Sequence, residues 1–272
     1  MLRDITLGQY YQSDSVIHKL DPRVKLITTI LFIVSLFVVD NFIGYIIAAL
    51  FLTIVIKLSK VPFKFMVKGM KSIMVLLMIT VVFNLFLTPG EALFIVWKLT
   101  ITKEGLKTAV FMAIRLTFLI IGSSVMTLTT TPNNLTDGLE KLMRPLRVIR
   151  VPVHEIAMMM SIALRFIPIL LEETDKIMKA QIARGADFES GNLIKKAKSL
   201  VPLLVPLFIS AFRRANDLAM AMEARCYRGG DHRTKMKPLQ YKKRDVLAYV
   251  ASASYLAICI VAGKILPGVL GL

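Results

Sequence analysis

The stretch that decides the fold is "VKLITTILFIVSLFVV" (24–39), which is followed almost at once by "IGYIIAALFLTIVI" (43–56). Each run is predominantly apolar and approaches the length of about 20 residues that crosses the hydrocarbon of a bilayer. Asp40 and Asn41 supply the polar residues between the runs, which is too short a gap for a domain. These features predict a membrane-embedded helical hairpin with a two-residue polar tip.

Three more apolar runs extend this interpretation. They cover 72–88, which ends at Pro89–Gly90, then 106–128, which ends at a threonine-rich stretch, and finally 246–270. The mean hydropathy of +0.65 is too high for an ordinary soluble domain of 272 residues. We therefore expect an all-α, polytopic membrane protein with long amphipathic cytoplasmic helices. The predicted domains are a transmembrane bundle of about four spans (1–128), a cytoplasmic or interfacial helical domain (129–244) and a C-terminal transmembrane helix (245–272).

The distribution of charge predicts the orientation. The chain carries 35 Lys and Arg against 18 Asp and Glu, a net charge of +17. The loop after the second run, 57–71, holds five lysines and no acid. Positive loops stay on the cytoplasmic side, so the N-terminus and this loop are expected in the cytoplasm of a multi-pass plasma-membrane protein. The first 23 residues have no apolar core and predict no cleavable signal peptide. Nucleic acid is not an expected partner because no recognition motif accompanies the basic residues.

Residues 129–244 hold 21 Lys and Arg against 11 Asp and Glu, a net charge of +10. Their pattern is helical, with apolar positions three or four residues apart and Gly185 or Gly229–Gly230 at the ends. Two segments, 155–171 and 199–212, are apolar enough to enter the bilayer but contain charges or prolines. Both alternatives stay open for them: helices partly sunk at the interface, or true spans. Kinks are expected at the prolines within these helices, Pro168, Pro202 and Pro206.

The sequence lacks the usual signs of catalysis. His18, His154 and His232 stand alone, without a second metal ligand three or four residues away, and there is no phosphate-binding glycine loop. The first three predicted spans contain no carboxylate, which disfavours ion-coupled transport by this chain alone. Arg115 is a strong charge within the fourth predicted span, and either extends towards the outer interface or pairs with an acid. We expect a non-catalytic chain that binds no metal or cofactor.

Two similar helix ends remain to be explained, "AQIARGADF" (180–188) and "MEARCYRGG" (222–230). In each, an arginine stands between small residues, which would let the backbone of a partner approach a permanently charged, multidentate donor. The plainer interpretation is an ordinary helix stop, since a basic residue in the last turn followed by glycine is common. The two arginines and their neighbours are Ala183, Arg184, Gly185, Ala224, Arg225 and Cys226.

These ends, with two further stretches, resemble the transmembrane component of energy-coupling factor transporters, the family that includes the cobalt-transport Q-type proteins. The stretch "YYQSDSVIHKLDPRVKL" (10–26) is similar to its N-terminal signature, Ser-x-x-His-x-Leu-Asp-Pro-Arg-x-Lys. The stretch "YRGGDHRTKMKPLQYKKRD" (227–245) is similar to the segment that follows the second arginine motif. Cys226 departs from the family, which more often has glycine there.

The resemblance implies a division of labour among subunits. Two cytosolic ATPases of the ABC type hydrolyse ATP with Mg, a membrane S component binds a vitamin or a metal ion, and this chain joins them through cytoplasmic coupling helices. Arg184 and Arg225 would each insert into one ATPase.

Two smaller motifs allow two interpretations each. Ala211, Ala215 and Ala219 either let helices pack closely or belong to ordinary packing. The motif of Asp21, Pro22 and Arg23 either starts the first helix, with Asp21 as its cap, or contacts the cytoplasmic helices.

Two other functions were weighed. A stand-alone secondary carrier or integral-membrane enzyme would act without partners. A membrane anchor with a basic surface for anionic lipid would explain the charge of 129–244 but not the two similar helix ends.

Overall fold

The computed structural model describes residues 10–39, 41–66, 73–89, 92–96, 99–188, 193–230, 236 and 238–270. These residues form two compact units, one of 10–138 with 239–270 and the other of the described residues from 139 to 238. The predicted domain boundaries at 128/129 and 244/245 lie close to these divisions, and the domain assignment stays a prediction.

The first unit is a helical bundle with one short hairpin of strands. Its elements are α1 (Pro22–Val38), α2 (Phe42–Ser59), α3 (Met74–Leu87), β1 (Ala92–Val96), β2 (Leu99–Thr102), α4 (Lys103–Thr129) and α8 (Lys243–Leu270), and residues 63–66 are also helical. Strands β1 and β2 pair antiparallel, with Val96 opposite Leu99. This hairpin was not predicted, whereas the helical hairpin of α1 and α2 was.

The second unit consists of long helices. Helix α5 (Pro132–Met143) leads from the first unit into it, and a 3₁₀ helix (Arg144–Ile149), α6 (Val153–Ala183) and α7 (Leu193–Ala224) follow. Helix α6 continues through Pro168, and α7 through Pro202 and Pro206. The dominance of helices confirms the predicted fold class, a helical polytopic membrane protein.

Among the described residues, four helices are long and apolar enough to cross a membrane. They are Phe42–Ser59, Lys103–Thr129, Val153–Ala183 and Lys243–Gly263. Three of them correspond to predicted spans, and the fourth includes 155–171, whose position was left open. The first and third predicted spans appear as the shorter helices α1, with 17 residues, and α3, with 14.

The core of the first unit lies between α1, α2, α4 and α8. Leu36, Ala48 and Val125 are buried there, and Phe51 stacks on Tyr255 with ring centroids 4.2 Å apart. The Tyr255 hydroxyl is within 2.8 Å of Ser35 Oγ, so both polar groups are satisfied inside the apolar core.

A buried polar cluster surrounds the start of α1. Lys25 is only 6% exposed, and its ammonium donates to the carbonyl oxygens of Thr129, at 2.8 Å, and His18, at 3.2 Å. His18 Nε2 lies 2.9 Å from the Tyr11 carbonyl oxygen, and the Tyr11 N–H donates to the Leu128 carbonyl. The N-terminal signature thus folds around the end of α4, where the Lys25 ammonium satisfies the Thr129 carbonyl and the Tyr11 N–H satisfies the Leu128 carbonyl.

Asp21 caps α1, with Pro22 at the first helical position. Its carboxylate accepts the Arg23 backbone N–H at 2.9 Å and the Arg23 guanidinium at 2.8 and 3.0 Å. Burial acts to raise the pKa of Asp21, but these hydrogen bonds outweigh it and hold the pKa below its usual value. The guanidinium also lies over the Tyr241 ring, with Cζ 3.9 Å from the centroid.

Asp245 connects α8 to this cluster. It is 1% exposed, and its two carboxylate oxygens accept the backbone N–H groups of Asp21, at 2.9 Å, and Lys242, at 2.7 Å. One side chain therefore holds the starts of α1 and α8 together.

Arg115, the charge predicted within the spans, lies in α4. Its Nε donates to the Tyr45 hydroxyl at 2.9 Å, and its Nη2 lies 3.4 Å from the Val39 carbonyl oxygen. The guanidinium reaches towards the junction of α1 and α2, where these oxygens compensate part of its desolvation.

Replacing Asp245 tests whether the polar cluster holds α1 and α8. Asp245→Ala leaves two backbone N–H donors without their acceptor, which should cost about 1–3 kcal/mol and lower the Tm in detergent. Asp14→Ala is the control, because Asp14 lies on the surface and its ion pair is with the exposed Lys19. An unchanged Tm for Asp245→Ala would contradict this role.

Candidate functional site

The first arginine end closes with a left-handed turn after α6. Helix α6 ends at Ala183, and Arg184 is the C-cap. Gly185 has φ +88°, the Gly185 N–H donates to the Ile182 carbonyl at 2.9 Å, and the Ala186 N–H donates to the Gln181 carbonyl at 2.9 Å. The last carbonyls of α6 are thereby satisfied in a Schellman-type arrangement.

The second arginine end repeats this closure after α7. Helix α7 ends at Ala224, and Cys226, with φ +55°, occupies the position that Gly185 has at the first end. The Cys226 N–H donates to the Glu223 carbonyl at 2.8 Å, and the Tyr227 N–H donates to the Met222 carbonyl at 3.0 Å. The family's more common glycine at this position therefore has a conformational reason that the sequence argument, based on size, missed.

We call the two ends, 183–185 and 224–226, the arginine tips. Arg184 and Arg225 are exposed, and within the described ranges neither guanidinium has an ion pair or side-chain hydrogen bond. A guanidinium held at a rigid helix end keeps its donors available for carboxylates or backbone carbonyls of another protein. Each tip can therefore act as a fixed cationic contact.

An ion pair between α6 and α7 fixes how the tips are arranged. Glu173 accepts from the Arg214 guanidinium at 2.9 and 3.2 Å and from the Ser210 hydroxyl. Further along, the Gln181 amide lies 3.4 Å from the Pro202 carbonyl oxygen. As the position in α6 rises, its partner's position in α7 falls, so the two helices run antiparallel.

The two tips are placed evenly about this pair. Arg184 follows Glu173 by eleven residues, and Arg225 follows Arg214 by eleven residues. At 1.5 Å per residue each tip lies ~16 Å along its own helix from the pair, in opposite directions. Sequence reasoning missed Glu173 and Arg214, because a contact between distant residues leaves no periodic signal.

The segment behind the second tip packs against the start of α6. A Cβ on Gly230 would overlap the His154 imidazole, so the Gly230 backbone lies directly on that ring. His154 Nδ1 in turn lies 3.1 Å from a carboxylate oxygen of Glu140 in α5. At the first tip, a Cβ on Gly185 would meet nothing within 4 Å. The backbone that follows the second tip is thus in contact with the start of α6, whereas among the described residues there is room for a Cβ at Gly185.

The remaining predicted residues lie along α7 and at the start of α1. Ala215 and Ala219 are exposed and Ala211 is half-buried, so their role in packing stays a prediction. Asp21, Pro22 and Arg23 form the helix start described above, within the other unit. Of the two free cysteines, Cys226 is exposed and Cys259 is buried. No group of His, Cys, Asp and Glu among the described residues is arranged to hold a metal ion.

Substitutions at Cys226 test the left-handed turn. A side chain costs about 1 kcal/mol in this conformation and a β-branched one costs more, so Cys226→Gly should raise the Tm slightly and Cys226→Val should lower it. Cys226→Ala keeps a Cβ without the thiol and is the matched control, expected to behave like the native chain. A glycine variant less stable than the alanine variant would show that the turn is not left-handed.

The contact between Gly230 and His154 is testable by exchanging volume. Gly230→Ala should lower the Tm by the cost of overpacking, about 1–3 kcal/mol, because the new methyl group overlaps the imidazole. Adding His154→Ala should restore much of this loss by removing the ring. Gly185→Ala is the control, since its cost arises from φ alone and the His154 change should not relieve it. A double variant no more stable than Gly230→Ala would exclude the contact.

Comparison with known proteins places this geometry in a family. The family model described as "cobalt transport protein" (CbiQ) matches residues 13–236. Proteins named "energy-coupling factor transporter transmembrane protein EcfT" are similar over nearly their whole length. That of Clostridium kluyveri is 60% identical over 96% of this chain and 98% of its own. Those of Thermosediminibacter oceani and Bacillus subtilis are 55% and 46% identical, each over 92% of this chain and 95% of their own.

The matched region includes both arginine tips, the Glu173–Arg214 pair and most of the polar cluster around α1. With the family model covering most of the sequence and relatives 46–60% identical over nearly their whole length, the chain belongs to the CbiQ family, and the relatives similar to it are named as transmembrane proteins of energy-coupling factor transporters.

Proposed function

We propose that this chain is the coupling subunit of an energy-coupling factor importer. It transmits movement of two cytosolic ABC-type ATPases, which bind ATP and Mg, to a membrane S component that captures a vitamin or a metal ion. The chain itself carries out no chemistry, and its N-terminus lies on the cytoplasmic side. The matched relatives are named as transmembrane proteins of transporters, which supports the membership of a multisubunit membrane complex.

The observation that carries this proposal is the pair of equivalent tips. Two long helices end in the same turn with an exposed arginine, and a single ion pair lies equally far from both. Two cationic contacts at opposite ends of an antiparallel helix pair fit two separate ATPase subunits better than one. A rigid helix transfers a displacement along its length, so an approach of the ATPases would change how α6 and α7 lie against each other.

The chemistry of each tip also supports contact with a protein. Ala183, Gly185, Ala224 and Cys226 are small, so a partner's backbone can reach the guanidinium between them. The positive charge at the C-terminal end of a helix is favoured by the local dipole and stays fixed at every physiological pH. We expect a groove on each ATPase that offers carboxylates or carbonyl oxygens to the arginine.

Charge reversal at both tips tests the coupling. Arg184→Glu with Arg225→Glu should cost at least about 2–5 kcal/mol of interaction at each tip, because two acceptor sites then face a like charge. The ATPases should no longer copurify with the tagged chain, and ATP-driven uptake should be lost, while the chain still inserts and keeps its Tm. Arg184→Lys with Arg225→Lys keeps the charges but not the bidentate donors, and should weaken copurification to a smaller extent.

The matched control reverses two other exposed cations on the same helices, Lys179→Glu and Arg213→Glu. This control changes the net charge equally but leaves the tips intact, so the ATPases should still copurify. Full uptake by the tip double variant would refute the assignment of the tips. Uptake of solute by the purified chain alone in liposomes would instead indicate a stand-alone carrier.

A further inference from the structure

The short 3₁₀ helix of Arg144–Ile149, between α5 and α6, has a charge pattern that the coupling role does not explain. Basic residues stand at every third position, at Lys141, Arg144, Arg147 and Arg150. No acid occurs between Glu140 and Glu155. We call the segment from 141 to 150 the basic ridge, because all its charged residues are cationic.

The 3₁₀ geometry converts this spacing into separate faces. With three residues per turn, side chains three positions apart eclipse one another. Arg144 and Arg147 then share one face, while Pro145 with Val148 and Leu146 with Ile149 form two apolar faces. The ridge ends at Arg150, whose φ of +62° turns the chain and whose N–H donates to the Arg147 carbonyl at 3.0 Å. The result is a short prism with one cationic and two apolar sides.

The apolar sides of this prism are uncovered. Val148 is 90% exposed and Ile149 is 72% exposed, far more than branched aliphatic side chains usually are in water. Burying such side chains is worth ~25 cal/mol for each Å² removed from water. Two adjacent aliphatic side chains, flanked by arginines, are suited to contact a partner that has an apolar interior beneath an anionic surface.

The position of the ridge in the chain favours a bilayer as that surface. Val153, three residues after the ridge, begins α6, whose apolar composition suits contact with a membrane and which would lie along the membrane surface if both arginine tips are on the cytoplasmic side. Basic residues next to such helices are attracted to anionic lipid headgroups, by about 1 kcal/mol each, and aliphatic side chains of interfacial segments enter the acyl boundary. A protein surface that complements only cations would leave Val148 and Ile149 without apolar cover.

We propose that the basic ridge, 141–150, lies on the anionic leaflet of the membrane, with Val148 and Ile149 in the acyl boundary and the arginines at the lipid phosphates. The ridge thereby fixes the start of α6 at the membrane surface, independently of the contacts that the arginine tips make. This interaction with lipid goes beyond the proposed coupling function and does not require it.

Tryptophan fluorescence in nanodiscs tests the contact with lipid. The chain has one tryptophan, so Trp97→Phe provides a background for Val148→Trp. Brominated acyl chains should quench this tryptophan strongly in phosphatidylglycerol and weakly in phosphatidylcholine. Ile194→Trp is the matched control, because Ile194 is also an aliphatic side chain at a helix end and is 75% exposed. It should show little quenching in either lipid.

The electrostatic part is tested by removing the charges. Arg144→Gln, Arg147→Gln and Arg150→Gln together should reduce quenching of the residue 148 tryptophan in phosphatidylglycerol to its value in phosphatidylcholine. Raising the salt concentration should also reduce the quenching when all three arginines are present, and this measurement needs no variant beyond the tryptophan probe itself.

Three results would overturn the proposal. They are quenching at position 148 no greater than at position 194, quenching equal in both lipids, and loss of quenching when the copurified complex replaces the single chain. The last result would mean that a protein subunit covers the ridge. Each leaves copurification of the ATPases through the tips untouched, so failure here is distinguishable from failure of the coupling proposal.

Discussion

The first unit depends on the hydrogen bonds that the buried Lys25 ammonium donates to the carbonyl oxygens of His18 and Thr129. Transferring a charge out of water is costly, and the cost is recovered only if the acceptors stay in place. The N-terminal segment must therefore lie over the end of α4 at the point where α1 begins. Asp21 and Asp245 add a second constraint by joining the starts of α1 and α8. Helix α5, which begins directly after this cluster, then passes so close to Pro22 that a side chain at Gly138 would contact it.

The long helices of the second unit depend on a different kind of contact. Glu173, Ser210 and Arg214 join α6 to α7, and the Gln181 amide approaches the Pro202 carbonyl further along, so polar contacts fix where these two helices meet. Directional bonds specify one register, whereas apolar faces alone allow several. Behind the second tip, the Gly230 backbone lies on the His154 ring, which adds a contact to the closure of α7.

Much of this organisation could be predicted from local sequence. The apolar runs predicted the helices that contain them, and glycine predicted the end of α6, because both signals act within a few residues. The hairpin of Ala92–Val96 and Leu99–Thr102 escaped prediction, since an apolar run of that length fits a strand as well as a helix. Cys226 was judged by its size, because its φ depends on the closure of α7 rather than on its neighbours in sequence. The partnership of Glu173 with Arg214 follows from the antiparallel meeting of two helices, which periodicity within either helix does not specify.

The conformation of Cys226 has one practical outcome. Cys226 is exposed and follows Arg225 in the chain, whereas Cys259 is buried in the first unit. A bulky maleimide should therefore react at a single location in the folded protein, and no cysteine needs to be introduced. A fluorophore attached there would lie one residue from the Arg225 guanidinium, which we propose contacts an ATPase, so the natural sequence already provides a reporter for that proposed docking.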